Sequence, residues 1–207
     1  MASYSGSANA DLIDLRSKKL NQGETGNLVD LLAGNDTLLG SADPDQAYGG
    51  DDNDLIYGYG GDDALLGENG NDTLRGGVGN DFLVGGAGND FLFGEAGDDK
   101  MYGGAGDDFY VHFANDGVDT INDNKTATGS TGGGGGSDTV YMGFNLSDLR
   151  TYHPAGTNDL LIGTAADLAD GVLSDGVKLE GFFSSTANRI EFVQSADGFV
   201  ASLANVT

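Results

Sequence analysis

The chain has 207 residues, of which 33 are acidic and nine are basic, so its formal net charge is −24 and its isoelectric point is near 4.1. This charge disfavours nucleic acid and anionic membranes as partners, because their phosphates would be repelled, and it predicts a cationic partner. The absence of cysteine excludes disulfides and thiolate chemistry. The 37 glycines and two prolines favour turns over long helices.

The sequence carries no recognisable signal for N-terminal cleavage or membrane insertion. Residues 1–15 lack a basic region followed by an apolar one, so we expect no cleaved signal peptide. No apolar run reaches the roughly 18 residues that cross a bilayer, so we expect no membrane insertion. An acidic chain without cysteine is compatible with an extracellular bacterial setting.

The first thirty residues are predicted to form an N-terminal cap. They include GSANADLID at 6–14, which keeps an aspartate and an apolar residue at the spacing of the repeat that follows. Stacked repeats leave an open edge that invites aggregation, so a capping segment is expected at each end.

A nine-residue repeat fills the next part of the chain. Two degenerate frames at 31–39 and 40–48 precede seven uninterrupted units at 49–111, which read GGDDNDLIY, GYGGDDALL, GENGNDTLR, GGVGNDFLV, GGAGNDFLF, GEAGDDKMY and GGAGDDFYV. Each unit predicts a six-residue turn and a three-residue strand. Glycine predominates at positions one, two and four, where it permits positive φ and close backbone approach. The fifth position is Asn or Asp, which tolerate the left-handed region best after glycine.

Two positions of the repeat are decisive. The sixth position is always aspartate, at Asp36, Asp45, Asp54, Asp63, Asp72, Asp81, Asp90, Asp99 and Asp108. The eighth position is apolar, at Leu38, Ala47, Ile56, Leu65, Leu74, Leu83, Leu92, Met101 and Tyr110. Strand alternation places the eighth side chain on the face opposite to positions seven and nine. One inward side chain per strand makes a thin core that only stacking can seal.

Two units are predicted to form one coil of a right-handed parallel β-roll, an all-β solenoid, over residues 31–122. Aspartates 18 positions apart would then meet on adjacent coils, in seven pairs that run from Asp36 with Asp54 to Asp90 with Asp108. Carboxylates flanked by glycine carbonyls suit Ca²⁺, whereas Mg²⁺ demands tighter octahedral geometry and Zn²⁺ prefers sulfur and nitrogen. About seven or more calcium ions are expected, and seven would change the charge from −24 to about −10.

A disordered linker is the alternative for a sequence so rich in glycine and aspartate. A linker has no reason to keep an apolar residue in phase with aspartate from residue 31 to 111. We therefore expect order in calcium and disorder without it.

These units resemble the RTX, or haemolysin-type calcium-binding, family, whose repeat is GGxGxDxUx. The resemblance covers 31–111 and, more loosely, 6–141. It implies a parallel β-roll with Ca²⁺ between turns, held by the sixth-position aspartates and by backbone carbonyls. Beside the nine aspartates, the implied ligands are Asp138 in the frame 133–141 and Gly67, Gly70, Gly76, Gly77, Gly79, Gly85, Gly86, Gly88, Gly94, Gly97, Gly103, Gly104 and Gly106.

The resemblance also implies secretion by a type I exporter through an uncleaved C-terminal signal, and hence an extracellular location. The sequence departs from the family pattern in two turns, where Asp43 and Asp52 replace the fourth-position glycine and Pro44 stiffens the first of them. We expect the sites around residues 40–54 to bind more weakly or to differ in shape.

The segment after the repeats is predicted to contain a glycine-rich loop at 123–136 and a β-rich cap at 137–207 that would also hold the secretion signal. The glycine run is either flexible or forms one more calcium turn through Asp138. Strands are predicted at 139–142, 160–163, 177–179, 189–193 and 199–203, with a short helix at 165–173. The frame ANDGVDTIN at 114–122 matches the second half of the repeat.

Function follows from this census of motifs. The chain has two histidines, no cysteine and no HExxH, GxSxG or P-loop pattern, so no enzyme is predicted. The favoured function is a calcium-switched folding and secretion module. The alternative is a carbohydrate- or surface-binding module that uses bound Ca²⁺, in which outward aromatic residues such as Tyr57, Phe91 and Phe93 form a ligand stripe unless the chain's own cap covers them. Expected partners are calcium, the exporter in transit, and a surface glycan or the rest of a larger secreted protein.

Overall fold

The computed structural model describes residues 2–17, 26–123, 137–168, 173–183 and 190–203. Within these ranges the regular structure consists of β-strands without a helix, which confirms the all-β prediction. No helix of the described residues is therefore long and apolar enough to cross a membrane. The strands are β1 (Ala2–Ser5), β2 (Leu12–Asp14), β3 (Asn27–Asp30), β4 (Thr37–Leu39), β5 (Asp45–Asp51), β6 (Leu55–Gly60), β7 (Ala64–Asn69), β8 (Thr73–Val78), β9 (Phe82–Ala87), β10 (Phe91–Ala96), β11 (Lys100–Ala105), β12 (Phe109–His112), β13 (Val118–Ile121), β14 (Thr139–Met142), β15 (Leu149–Tyr152), β16 (Leu160–Thr164), β17 (Gly176–Leu179), β18 (Phe192–Ser195) and β19 (Val200–Ser202).

The strands form two sheets, and each coil of the repeat contributes one strand to each sheet. A ten-stranded sheet has the order β1-β3-β5-β7-β9-β11-β13-β17-β16-β15, and a nine-stranded sheet has the order β19-β18-β14-β12-β10-β8-β6-β4-β2. Consecutive strands of the repeat alternate between the sheets, and Thr73 pairs in parallel with Leu55 on one side and Phe91 on the other. Each coil of the regular region therefore takes two nonapeptides, which confirms the parallel β-roll.

The core is a file of side chains between the sheets, with one inward residue from each strand of the repeat. Every eighth-position residue from Leu38 to Tyr110 is fully buried, and the file continues through Ile121, Val140 and Val193 beyond the repeats. Neighbouring side chains of the file belong to coils stacked in register. Each coil consequently depends on its neighbours to exclude water from its two inward residues, one on each strand.

The strands are longer than the three residues that the repeat predicted. The strand β8 covers six residues, because pairing continues through the first three positions of the following turn. Tyr59 pairs with Gly77, and the N–H of Gly61 donates to the carbonyl oxygen of Val78 at 3.0 Å. The turns thus stack backbone on backbone, as strands do.

Positive φ angles fall at the second and fourth positions of the turns, and the fifth-position Asn and Asp residues of the seven units at 49–111 do not use the left-handed region that they tolerate. Gly77 and Gly79 have φ values of 117° and 144°, and Asp52 adopts 78° at a fourth position without glycine. A Cβ atom at Gly79 would collide with the carbonyl oxygen of Gly61, which explains the preference for glycine. The fifth-position side chain instead accepts a hydrogen bond: Asn71 N–H donates to Asn53 Oδ1 at 2.6 Å.

Both ends of the chain extend the sheets of the roll. At the N-terminal end, β1 and β2 are edge strands, and β2 pairs in parallel with β4. At the C-terminal end, β17 and β18 pair in parallel with strands of the roll, and their outer neighbours in the sheets, β16 and β19, are antiparallel to them. Antiparallel pairing thus ends the parallel stacking of strands in each sheet.

The C-terminal strand predictions are largely met. Strands occur at 139–142, 160–164, 176–179 and 200–202, whereas the strand predicted at 189–193 runs from Phe192 to Ser195 and β15 was not predicted. In the segment predicted as a helix, residues 165–168 form a turn and 169–172 lie outside the described residues. Of the predicted glycine-rich loop, only residue 123 is described.

Candidate metal-binding turns

Two columns of aspartate run along the roll, one beside each sheet. The first column contains the sixth-position residues that precede strands of the nine-stranded sheet: Asp36, Asp54, Asp72, Asp90 and Asp108. The second column lies at the ten-stranded sheet and contains Asp45, Asp63, Asp81 and Asp99. None of these nine side chains is more than 3% exposed. Buried aspartate at such a density requires compensating partners.

Each aspartate is tied to the next coil by one hydrogen bond. The backbone N–H of Asp54 donates to Oδ1 of Asp72 at 2.8 Å, and that of Asp81 donates to Oδ1 of Asp99 at 2.7 Å. The same bond joins all seven predicted pairs at 2.7–2.9 Å. The structure therefore brings together the side chains that the 18-residue spacing placed on adjacent coils.

The columns continue beyond the repeats. Asp108 N–H donates to Oδ1 of the predicted Asp138 at 2.8 Å, and Asp138 N–H donates to Oε2 of Glu191 at 2.9 Å. In the second column, Asp99 N–H donates to Oδ1 of Asp119 at 3.2 Å. Asp119 and Glu191 were not among the predicted site residues. The frame 114–122 does place Asp119 at a sixth position, whereas no repeat frame contains Glu191.

The second carboxylate oxygen distinguishes these residues from ordinary hydrogen-bonded aspartates. Oδ2 is buried and has no hydrogen-bond partner in the described part of the chain at Asp36, Asp54, Asp63, Asp72, Asp81, Asp90, Asp99 and Asp108. Buried polar atoms in proteins are almost always paired. Eight such atoms in regular columns indicate a ligand that the polypeptide itself does not supply.

Glycine at the first position leaves room for that ligand. A Cβ atom at Gly85 would collide with Oδ2 of Asp90 and would lie 2.7 Å from the carbonyl oxygen of Gly103. The turn at Gly67 has the same arrangement, with Asp72 and the carbonyl of Gly85. Carboxylate and carbonyl oxygens thus converge on a space that has no side chain. A hard, all-oxygen donor set of this kind fits Ca²⁺.

The predicted glycine ligands divide into two groups. The first-position residues lie against the Oδ2 atom of their own turn, and they are Gly67, Gly76, Gly85, Gly94 and Gly103. The second- and fourth-position residues stack closely on the backbone of the preceding coil, and they are Gly70, Gly77, Gly79, Gly86, Gly88, Gly97, Gly104 and Gly106. The first group adjoins the space described above, and coordination by any of these carbonyls stays a prediction.

The turn at residues 40–45 differs from the others. Oδ2 of Asp45 accepts a hydrogen bond from the N–H of Ser41 at 2.7 Å, and Oδ1 accepts one from the side-chain amide of Asn27 at 2.5 Å. Ser41 occupies the second position, where most units have glycine. Asp45 therefore has less free acceptor capacity than the other column members, in the region where weaker binding is expected.

Burial shifts the acidity of the columns. In each case burial is the largest cause of a raised pKa, and the backbone N–H of the preceding coil partly offsets it. The pKa is raised to about 6 for Asp81 and Asp90, about 7 for Asp54 and Asp72, and about 8 for Asp63 and Asp108. Without a cation the columns would therefore tend to take up protons.

The imidazole of His112 lies at the end of the second column, between two carboxylates. Its Nδ1 lies 2.8 Å from Oδ2 of Asp119, and its Nε2 lies 3.1 Å from Oδ1 of Asp175. Burial by itself would lower the pKa of His112, but the hydrogen bond and charge of Asp119 and the charge of Asp175 raise it above its ordinary value. The imidazole Nδ1 thus lies against Oδ2 of Asp119, the carboxylate oxygen that has no partner in the regular turns that the structure describes.

A family model described as the RTX calcium-binding nonapeptide repeat (4 copies) matches residues 32–65, 39–74 and 75–110. No curated protein matches the chain at a significant level. The matched residues contain all nine aspartates of the two columns.

Replacing the first-position glycine should block the space beside Oδ2. We predict that Gly85→Ala weakens calcium binding at the turn of Asp90, because its methyl group would occupy the space where the oxygens converge. Gly85 does not have a positive φ, so backbone strain does not account for the effect. The measurement is calcium binding by isothermal titration calorimetry, with a loss of about one ion or an approximately tenfold weaker site.

Gly60→Ala is the matched control for this prediction. Gly60 has no positive φ, and the nearest atoms to an added Cβ are 3.8 Å away. Equal calcium binding by the two variants would contradict the assignment of the space.

Acidity should affect the metal-free protein in a definite direction. The folded-state pKa values of about 6 to 8 exceed the unfolded value of about 4, so the protonated columns stabilise the fold at low pH. In EDTA we predict that the stability present near pH 4 is lost as the pH rises through about 6 to 8. Thermal unfolding followed by circular dichroism across this range is the measurement. A metal-free roll whose stability rises towards pH 8 would refute the prediction.

Proposed function

We propose that the chain is a calcium-switched module, which folds on binding Ca²⁺ after type I secretion and then stabilises or presents a secreted protein. Residues 32–110 match the RTX calcium-binding nonapeptide repeat model. The observation that carries this proposal is the set of eight buried Oδ2 atoms that have no hydrogen-bond partner in the described ranges of the chain. The repeats make the chain a calcium-binding module. The calcium switch, the secretion route and the role in stabilising or presenting a larger secreted protein are proposals.

Electrostatics supports a fold that depends on its cation. The formal net charge is −24, and the roll brings buried carboxylates of adjacent coils into one hydrogen-bonded column. Removing a charge from water is costly unless an opposite charge is close by. Calcium between the turns would supply that charge, so the free energy of metal binding becomes free energy of folding.

The same dependence suits a secreted protein. RTX repeats are typical of secreted bacterial proteins, and calcium is scarce in the cytosol and plentiful outside the cell. The chain would stay unfolded for passage through an exporter and would fold on arrival. We place the export signal in residues 137–207, where the repeat period ends.

A second candidate function rests on an open cleft on the nine-stranded sheet. The cleft has a volume of about 260 Å³ and is lined by Tyr57, Tyr59, Arg75 and Glu95. The Arg75 guanidinium lies 4.7 Å from the ring centre of Phe93 and forms an ion pair with Glu95. Aromatic faces beside charged hydrogen-bonding groups favour a glycan ligand.

Removing one column carboxylate tests the calcium switch. We predict that the wild-type chain loses its β-sheet circular dichroism in EDTA at neutral pH and regains it with calcium. Asp72→Asn should need severalfold more calcium, because it removes a ligand charge from the middle of the first column. Asp148→Asn makes the same change of charge at an exposed position and should titrate like the wild type. A wild-type spectrum that does not respond to EDTA would reject the proposal.

A glycan screen with and without calcium tests the cleft. The side chain of Tyr59 is 44% exposed, so Tyr59→Ala should abolish any glycan binding and leave the calcium response intact. Phe199→Ala is the control, since Phe199 is 60% exposed and lies outside the cleft. Failure of the calcium-loaded wild type to bind any glycan would remove this candidate.

A further inference from the structure

The last regular turn of the roll contains a third carboxylate. Asp108 and Asp138, consecutive members of the first column, are joined there by Asp123, and their potential ligand atoms all lie within 4.8 Å of one another. The three side chains are 1–2% exposed. No other group of three or more such side chains could hold a metal in the described part of the chain. This turn therefore differs from all the regular ones.

Asp123 occupies a glycine position of the coil. Met101 pairs with Ile121, so the register places Asp123 one coil beyond Gly103, at the first position of a turn. In the interior turns, the residue at this place contributes a carbonyl oxygen beside the preceding Oδ2, as Gly103 does for Asp90. Among the first-position residues that the structure describes, Asp123 alone has a carboxylate of its own.

A second departure from the repeat accompanies the first. Tyr110 stands at an eighth position, where the other units have aliphatic side chains, and it is fully buried. Its hydroxyl accepts a hydrogen bond from the N–H of Gly103 at 2.8 Å and donates one to Oδ1 of Asp123 at 3.2 Å. Tyr110 therefore holds the carboxylate of Asp123 in place at the turn.

The space between these groups contains an unpaired acceptor. Oδ2 of Asp108 is buried and has no hydrogen-bond partner among the residues that the structure describes. A Cβ atom at Gly103 would collide with both this oxygen and the Tyr110 hydroxyl, so the two atoms face the same small space. The side chain of Asp108 is thus aimed at the point that Tyr110 and Asp123 also approach.

We propose that Asp108, Asp123 and Asp138 form a distinct three-carboxylate calcium site at the end of the regular roll, with Tyr110 as the residue that positions Asp123. The inference rests on the proposed calcium-dependent function and adds a ligand from outside the matched repeats. Calcium affinity rises with the number of charged ligands, so this site binds Ca²⁺ more tightly than the turns with two aspartates. It also joins the roll to the strand β14, which follows Asp138 and begins the C-terminal region.

The test is the number and affinity of calcium ions bound by the full chain. Wild type, Asp123→Asn and the control Asp148→Asn are dialysed against a series of calcium buffers, and bound calcium is measured by atomic emission. The wild type and the control should show one tight ion in addition to a weaker group. In Asp123→Asn the tight ion should bind about tenfold more weakly, with the weaker group unchanged.

A second readout reports on the position of Tyr110. Terbium, used as a calcium substitute, should emit on tyrosine excitation from the first equivalent bound to the wild type, and Tyr110→Phe should remove most of that first signal. If Asp123→Asn binds calcium as the control does, the three-carboxylate site is wrong and the proposed function stands. If the wild type binds no calcium, both fail.

Discussion

Eight buried carboxylate oxygens that have no hydrogen-bond partner among the described residues impose the main energetic constraint on this protein. A buried charge is tolerated only when an opposite charge or several hydrogen bonds replace the water that it loses. The backbone N–H of the preceding coil satisfies Oδ1 of each column member, as between Asp54 and Asp72. Oδ2 is then available to a cation. One divalent ion between neighbouring turns would compensate the buried charge of both carboxylates.

Most other features of the roll keep the space beside Oδ2 free of side chains and lined by oxygen atoms. The first-position glycine leaves no side chain beside Oδ2, and the stacked turns bring carbonyl oxygens to the same place. The core can be only one side chain deep, because each coil has one inward residue per strand. A core this thin gives limited hydrophobic stabilisation, so the coils also depend on the backbone pairing of the two sheets and on the polar columns. The columns hold the coils together along both turn-bearing edges of the roll.

Where the repeat ends, side chains from outside the repeat complete the two columns. The imidazole of His112 takes the free oxygen of Asp119 in the second column. The first column ends on the side chain of Glu191. Antiparallel strands then close both sheets. These endings have no common sequence pattern, because each solves the same charge problem with residues from a different part of the chain.

The sequence predicted the periodic part of this structure well. The 18-residue register, the buried eighth position and the seven aspartate pairs all follow from the strict nine-residue period, which is visible in every unit of the repeat. Glycine at the first, second and fourth positions permits positive φ, but the described turns adopt it at the second and fourth positions, because the first-position glycine serves instead to leave room beside Oδ2. Asp123 and Glu191 were missed, since their place in the columns depends on register across non-repeating segments.

Direct observation of the cation is the decisive measurement. Crystals grown in calcium and measured at long wavelength would give anomalous peaks for calcium. Peaks about 2.3–2.6 Å from the Oδ2 atoms of the interior column members, such as Asp63, Asp72 and Asp90, are predicted. An ordered roll in saturating calcium with no anomalous density beside these oxygens would contradict the account.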